Sequence, residues 1–118
     1  MELSSQDKLW DFEIVIDDLY KNVNHIHPLK QKDILQIVKC AENTDDIDFV
    51  IVFGSAVRFD CSSLSDIDIL VKKRTKTYDF ILPGNIVSDV DVIYEWRADE
   101  RLLEEIRKTG VFVYKKET

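Results

Sequence analysis

Two rhythms of apolar residues run along this chain, and they divide it into helices and strands. Between residues 4 and 24, Leu9, Phe12, Ile16, Leu19, Tyr20 and Val23 recur at helical spacing, the mark of an amphipathic helix. Ser4 with Asp7 supplies an N-cap arrangement for it. Asn24-His25-Ile26-His27-Pro28 breaks the pattern, and Pro28 suits the first turn of a second helix. That helix has Leu29, Ile34, Leu35, Ile37, Val38 and Ala41 on its apolar face and ends near Glu42-Asn43. The rhythm then changes. Residues 49–53 are apolar at both parities, as in a central strand covered on both faces. A second strand is read at about residues 66–71, and a third, residues 86–94, follows the breaker Pro83-Gly84-Asn85. Residues 77–82 read as a short helix or turn. Residues 98–109 form a last helix, with Asp99 and Glu100 at its start, Arg107 and Lys108 at its end and Gly110 beyond. Residues 111–114 close the chain as a short strand.

This order predicts an α/β (α+β) layer arrangement, a small mixed β-sheet of about four strands backed by helices. At 118 residues the chain reads as one domain, residues 1–118, with an N-terminal helical extension of about residues 1–27. Lys and Arg total 16 against 23 Asp and Glu, a net charge of -7. That balance argues against a protein that tracks a nucleic-acid backbone. Lys72-Lys73-Arg74-Thr75-Lys76, the basic run, reads as a solvated loop. No apolar run is long enough to span a membrane, and no secretory leader is visible. Cys40 and Cys61 stand in no metal or redox motif and read as free thiols of a cytoplasmic protein. His25 and His27 lack a third ligand nearby and read as surface residues.

The chemistry lies where polar residues interrupt the strands. Strands rarely accept Asp, yet Asp66 and Asp68 open one and Asp89 and Asp91 interrupt another. Residues two apart in a strand share a face, so Asp66 and Asp68 are expected side by side. Carboxylates that close raise each other's pKa unless a cation lies between them, and hard oxygen ligands select Mg²⁺ or Mn²⁺. One acid of the third strand completes the set. Asp89 and Asp91 have the same parity; Asp91 is preferred because Val90, Val92 and Ile93 place it centrally. Three carboxylates suit two metal ions about 4 Å apart, which serve in-line displacement at phosphorus. Gly54-Ser55, after the first strand, permits close backbone approach to a ligand and offers N–H groups to phosphate. Arg58 adds a fixed positive charge nearby. Tyr94 and Trp96 close the third strand, where aromatics are core or rim residues, base stacking being the alternative.

Gly54-Ser55, ten intervening residues, then Asp66-Ile67-Asp68 resembles the signature of the DNA polymerase β-like nucleotidyltransferase superfamily. More narrowly, the chain is similar to the minimal nucleotidyltransferases, the small MNT partners of HEPN-domain proteins. The likeness runs from about Leu29 to Tyr114 and includes Val52-Phe53, Arg58, Ser65, Ile69 and Val90-Asp91-Val92. It implies a nucleotidyltransferase fold in which Asp66 and Asp68 bind both metals and Asp91 binds the one that activates the nucleophile. It implies that Gly54 and Ser55, with Arg58 and Ser65, hold the nucleotide. The implied reaction moves AMP from ATP to a hydroxyl with release of pyrophosphate. The implied acceptor is a tyrosine of a HEPN-type toxin, this chain being the antitoxin. Phe59 stands where the family often has Gly, and residues 59–64 lack the usual Gly and Pro.

Two other functions fit the residues. A small-molecule nucleotidyltransferase of the antibiotic-modifying kind would need a homo-oligomer or a partner to complete its acceptor site. An antitoxin acting by contact alone would use the long first helix and leave the carboxylates idle.

Overall fold

The computed structural model describes Tyr20 and residues 22–116. The helix read at residues 4–24 lies largely outside the described residues; its described end, Val23–His25, is a 3₁₀ turn. Tyr20 and Val23 are buried in the main core.

Helix α1 (Gln31–Glu42) is entered through a second 3₁₀ turn, Pro28–Lys30. His27 caps that turn, its Nδ1 accepting from the Leu29 N–H at 3.1 Å. A 3₁₀ turn winds three residues per turn, and this swings Leu29 outward. Leu29, expected on the apolar face, is exposed, while Lys30 and Gln31 are buried instead. Ile34, Leu35, Ile37, Val38 and Ala41 point inward as the periodicity predicts.

The sheet has four strands: β1 (Ile47–Phe53), β2 (Ile67–Lys73), β3 (Val90–Tyr94) and β4 (Val111–Lys115), in the order β3-β2-β1-β4. β1 runs antiparallel to β2 and β4, and β2 runs parallel to β3. The two central strands, β1 and β2, carry buried apolar residues at both parities, because each is covered on both faces. Val50, Val52, Ile69 and Val71 join the α1 side chains in the larger core. Ile51, Phe53 and Leu70 meet Ile106, Leu102 and Leu103 of α2 (Glu100–Thr109) on the other face. Asp99 caps α2, its carboxylate accepting from the Leu102 N–H at 2.8 Å.

A parallel pair needs a long crossover. Here it is residues 74–89, which contain neither helix nor strand. The expected helix or turn at residues 77–82 is absent: the backbone of this segment bonds to α1 and to the sheet end. Cys40 Sγ donates to the Ile81 carbonyl at 3.0 Å, and the Phe80 N–H donates to Tyr94 Oη at 3.1 Å. The Asp33 carboxylate accepts from the N–H groups of Val87 and Ser88 at 3.2 and 3.0 Å. This anchor explains why β3 begins at Val90 rather than at residue 86. Lys73 also departs from expectation. It follows Ile69 and Val71 into the α1 face, so it is buried and its ammonium donates to Asp79 and to the Thr77 carbonyl. Asp46 lies 3.5 Å away. Cys40 and Cys61 are free thiols. Among the described residues no helix is long and apolar enough to cross a membrane.

Ile69 lies fully buried at the centre of β2. Ile69→Ala should destabilise the fold by about 2–5 kcal/mol, measured as a lower urea midpoint with an unchanged slope.

Candidate active site

The site is set by strand register. Parallel pairing places Asp68 of β2 beside Asp91 of β3, and antiparallel pairing places the same Asp68 beside Phe53 at the end of β1. Phe53, Asp68 and Asp91 thus form one row across the sheet, on the face covered further along by α2. Asp89 lies before β3. It joins the strands through its backbone, its carbonyl accepting from the Ile67 N–H at 2.9 Å. The two acids of equal parity are therefore separated by the structure: Asp91 stands beside Asp68 and Asp89 in the lead-in. Asp66 also lies one residue ahead of its strand rather than within it. Its side chain is exposed, and its charge still reaches Asp68.

Gly54 ends β1 with φ 76°, in the left-handed region that favours glycine. It opens the 3₁₀ turn Gly54–Val57. A Cβ at this position would run into Asp68 Oδ2, so the glycine admits the carboxylate against the backbone. Ser55 Oγ donates to the Asp66 carbonyl at 3.1 Å and ties the Gly-Ser turn to the acidic motif. Ser65 Oγ accepts from the Ser62 N–H at 3.0 Å and shapes the loop that leads into Asp66. Arg58 is exposed, with Nε 3.4 Å from Asp60 Oδ1, and its charge also acts on Asp68.

These neighbours raise the pKa of Asp68 above the ordinary carboxylate value. Burial is the largest cause. The Asp91 carboxylate comes next, through its charge and through a hydrogen bond with the protonated form, and then Asp66; Arg58 opposes them. The pair is electrostatically unsatisfied and suits a cation. Among the described residues no group of three acidic, His or Cys side chains is gathered to hold a metal ion unaided. Mg²⁺ does not require such a cage. It commonly takes one or two carboxylates, keeps several waters and completes its shell with substrate phosphates. Asp68 and Asp91 with Asp66 at the rim match that donor set, open toward the Gly54 turn.

The aromatic residues lie elsewhere. Tyr94 ends β3 at the opposite end from Asp91 and is buried in the larger core. Its ring stacks on Trp96 at 5.0 Å and meets Tyr78 edge-on at 5.1 Å. These rings pack against the crossover, which is the core or rim role, and they stand away from the carboxylates. Residues that sequence reasoning passed over are Lys30 and Asp33, both bonded to loops of the site. A signal for Lys30 was present: it lies four residues before Ile34 and so extends the buried stripe of α1.

Residues 35–118 match the family model described as Polymerase beta, Nucleotidyltransferase. No curated protein matches the chain. Among solved structures, a complex of a tri-AMPylated HEPN toxin with its MNT antitoxin from Shewanella oneidensis is similar. It has 22% identity and a TM-score of 0.56 over 74% of this chain and 73% of that one. A toxin–antitoxin structure with AMP-PNP is similar at 19% identity and a TM-score of 0.54, over 73% of each chain. A mutant of the toxin–antitoxin pair MntA–HpeT follows at 17% identity and a TM-score of 0.53 over 73% of each chain. At these identities the likeness is one of fold.

Two substitutions examine the geometry. A carboxyl with a raised folded-state pKa opposes folding once pH exceeds its unfolded value, because the folded state then carries a charge it disfavours. Asp68→Asn should therefore raise the melting temperature of the metal-free protein at pH 7. The gain should shrink as pH falls toward the ordinary carboxylate value; calorimetry across pH reads both. Gly54→Ala forces a side chain into the left-handed region, at about 1–2 kcal/mol, and displaces Asp68. Urea unfolding should show at least that loss.

Proposed function

The chain belongs to the polymerase β nucleotidyltransferase family, and from that premise we propose that it transfers AMP from ATP to a tyrosine hydroxyl of a HEPN-type toxin, acting as the antitoxin in the cytoplasm. The observation that carries this reading is the Asp68–Asp91 pair held against the Gly54-Ser55 turn. Carboxylates in register and a turn that admits close backbone approach bring a cation site and a phosphate cradle together. Asp68 and Asp91, with Asp66 at the rim, would hold Mg²⁺ or Mn²⁺, two ions in the full complex. Metal ions so placed activate an attacking oxygen and steady a leaving one. The N–H groups at the start of the Gly54–Val57 turn would face the phosphates, the Ser55 hydroxyl holds that turn to the Asp66 carbonyl, Ser65 shapes the adjoining loop, and Arg58 adds positive charge. The acceptor oxygen forms its bond to the α-phosphorus as the bond to the bridging oxygen breaks. The tyrosine proton passes to solvent water, and pyrophosphate departs with the electron pair of the broken P–O bond. A toxin partner is supported by the similar solved structures, which are toxin–antitoxin pairs, one of them with a tri-AMPylated toxin.

Incubation with α-labelled ATP, Mg²⁺ and a HEPN-type partner tests the reading. Label should appear on a partner tyrosine, vanish with EDTA, fall by orders of magnitude in Asp91→Ala and largely persist in Asp89→Ala. Equal labelling by wild type and Asp68→Ala overturns the reading. Neutralisation of the toxin by an unlabelled complex would instead favour action by contact alone.

A further inference from the structure

The entry to α1, from His27 to Asp33, touches the loops on either side of the site residues. At its start, the His27 N–H donates to the Ala56 carbonyl at 2.7 Å, within the Gly54–Val57 turn. The Lys30 side chain, 1% exposed, donates from Nζ to the Ser63 carbonyl at 3.3 Å and to Ser88 Oγ at 2.8 Å. Ser63 lies in the loop that ends in Ser65 and Asp66, and Ser88 precedes Asp89 and the strand of Asp91. One turn further on, the Asp33 carboxylate accepts from the N–H groups of Val87 and Ser88 at 3.2 and 3.0 Å. The two loops are also bonded to each other, from the Ile67 N–H to the Asp89 carbonyl at 2.9 Å.

We propose that Lys30 and Asp33 are the positioning residues of the active site: a clamp, reaching from the opposite face of the sheet, that sets the Asp66 and Asp91 loops at one spacing. The functional consequence rests on the transfer reaction proposed above. A buried ammonium is costly without hydrogen-bond partners, and Lys30 finds them only when the Ser63 carbonyl and the Ser88 hydroxyl meet at one point. An ammonium presents three donors, so a single side chain can bind both loops, which no apolar residue of that length can do. Asp33 then fixes the direction of the second loop, because two N–H groups from successive residues converge on one carboxylate. Charge-assisted hydrogen bonds of this kind are stronger than neutral ones. Neither residue lies in the acidic row itself, so neither touches the reacting atoms. They act by holding the carboxylates at a separation that a cation can bridge, and partners of metal ligands commonly change metal affinity by about 10–100-fold.

The experiment compares the full chain with Lys30→Met, Lys30→Arg and Asp33→Asn. Amide exchange is measured on the metal-free protein, and the Mg²⁺ dependence of AMP transfer is measured beside it. In Lys30→Met, exchange at Ser65, Ile67 and Ser88 should quicken together by about tenfold or more, while Val71 and Ile51 keep wild-type protection. The Mg²⁺ concentration for half-maximal transfer should rise about tenfold, saturating Mg²⁺ should recover most of the rate, and Lys30→Arg should restore part of the affinity. A merely structural role gives a different result: a loss of rate that follows the folded fraction and that Mg²⁺ does not repair. Wild-type exchange in either loop, or quickening spread evenly through the sheet, overturns the proposal. Should Lys30→Met not fold, Asp33→Asn carries the same readouts for the second loop. A wild-type chain that neither transfers AMP nor binds Mg²⁺ with ATP overturns the functional reading instead, and the exchange pattern still decides the clamp.

Discussion

The parallel register of β2 against β3 is the constraint on which the site depends. Two carboxylates repel, and neither Asp68 nor Asp91 would choose the other as a neighbour. The apolar residues behind them leave no alternative. Ile69 pairs with Val92, Leu70 with Ile93 and Val71 with Tyr94, and a slip of one residue would turn every one of these side chains to the wrong face. Core packing holds the register, and the register holds the acids together. The buried part of the sheet thereby supplies the energy that keeps the exposed row in an unfavourable arrangement.

Gly54 completes that arrangement from the other side. The chain must turn sharply at the end of β1, and a left-handed residue does so without a side chain in the space Asp68 occupies. The result is a carboxylate with its proton affinity raised on three sides: by burial, by Asp91 and by Asp66. Such an arrangement works against stability, as is common where charged groups are gathered at a functional site.

Much of this was legible in the pattern of residues. The run at 49–53 is apolar at both parities, which fits a strand covered on both faces. Asp99 and Gly110 bracket the last helix as capping chemistry requires. What parity could not do was choose between Asp89 and Asp91, because residues two apart share a face. That choice depends on where β3 begins, and β3 begins where Asp33 releases the crossover. Asp33 is an ordinary helix-surface acid in sequence, so a contact spanning more than fifty residues carries no local mark. Lys30 and Lys73 mislead for a related reason: a lysine suggests solvent, yet each sits at a position whose periodicity points inward and is buried with its ammonium hydrogen-bonded. The aromatic cluster was readable as a core feature but not as one placed at the far end of the strand.

The irregular crossover between β2 and β3 has one more consequence. It contains no ladder of its own and turns at Gly84-Asn85, both exposed. A single backbone cut there would leave Asp68 on one fragment and Asp91 on the other, with β1 and β2 in the first piece and β3, α2 and β4 in the second. The second fragment would be held to the first by two separate seams, β3 on β2 and β4 on β1, which clasp the central hairpin from both edges. The molecule is in this sense already a pair of interlocking halves, and its pair of facing carboxylates exists only where they join.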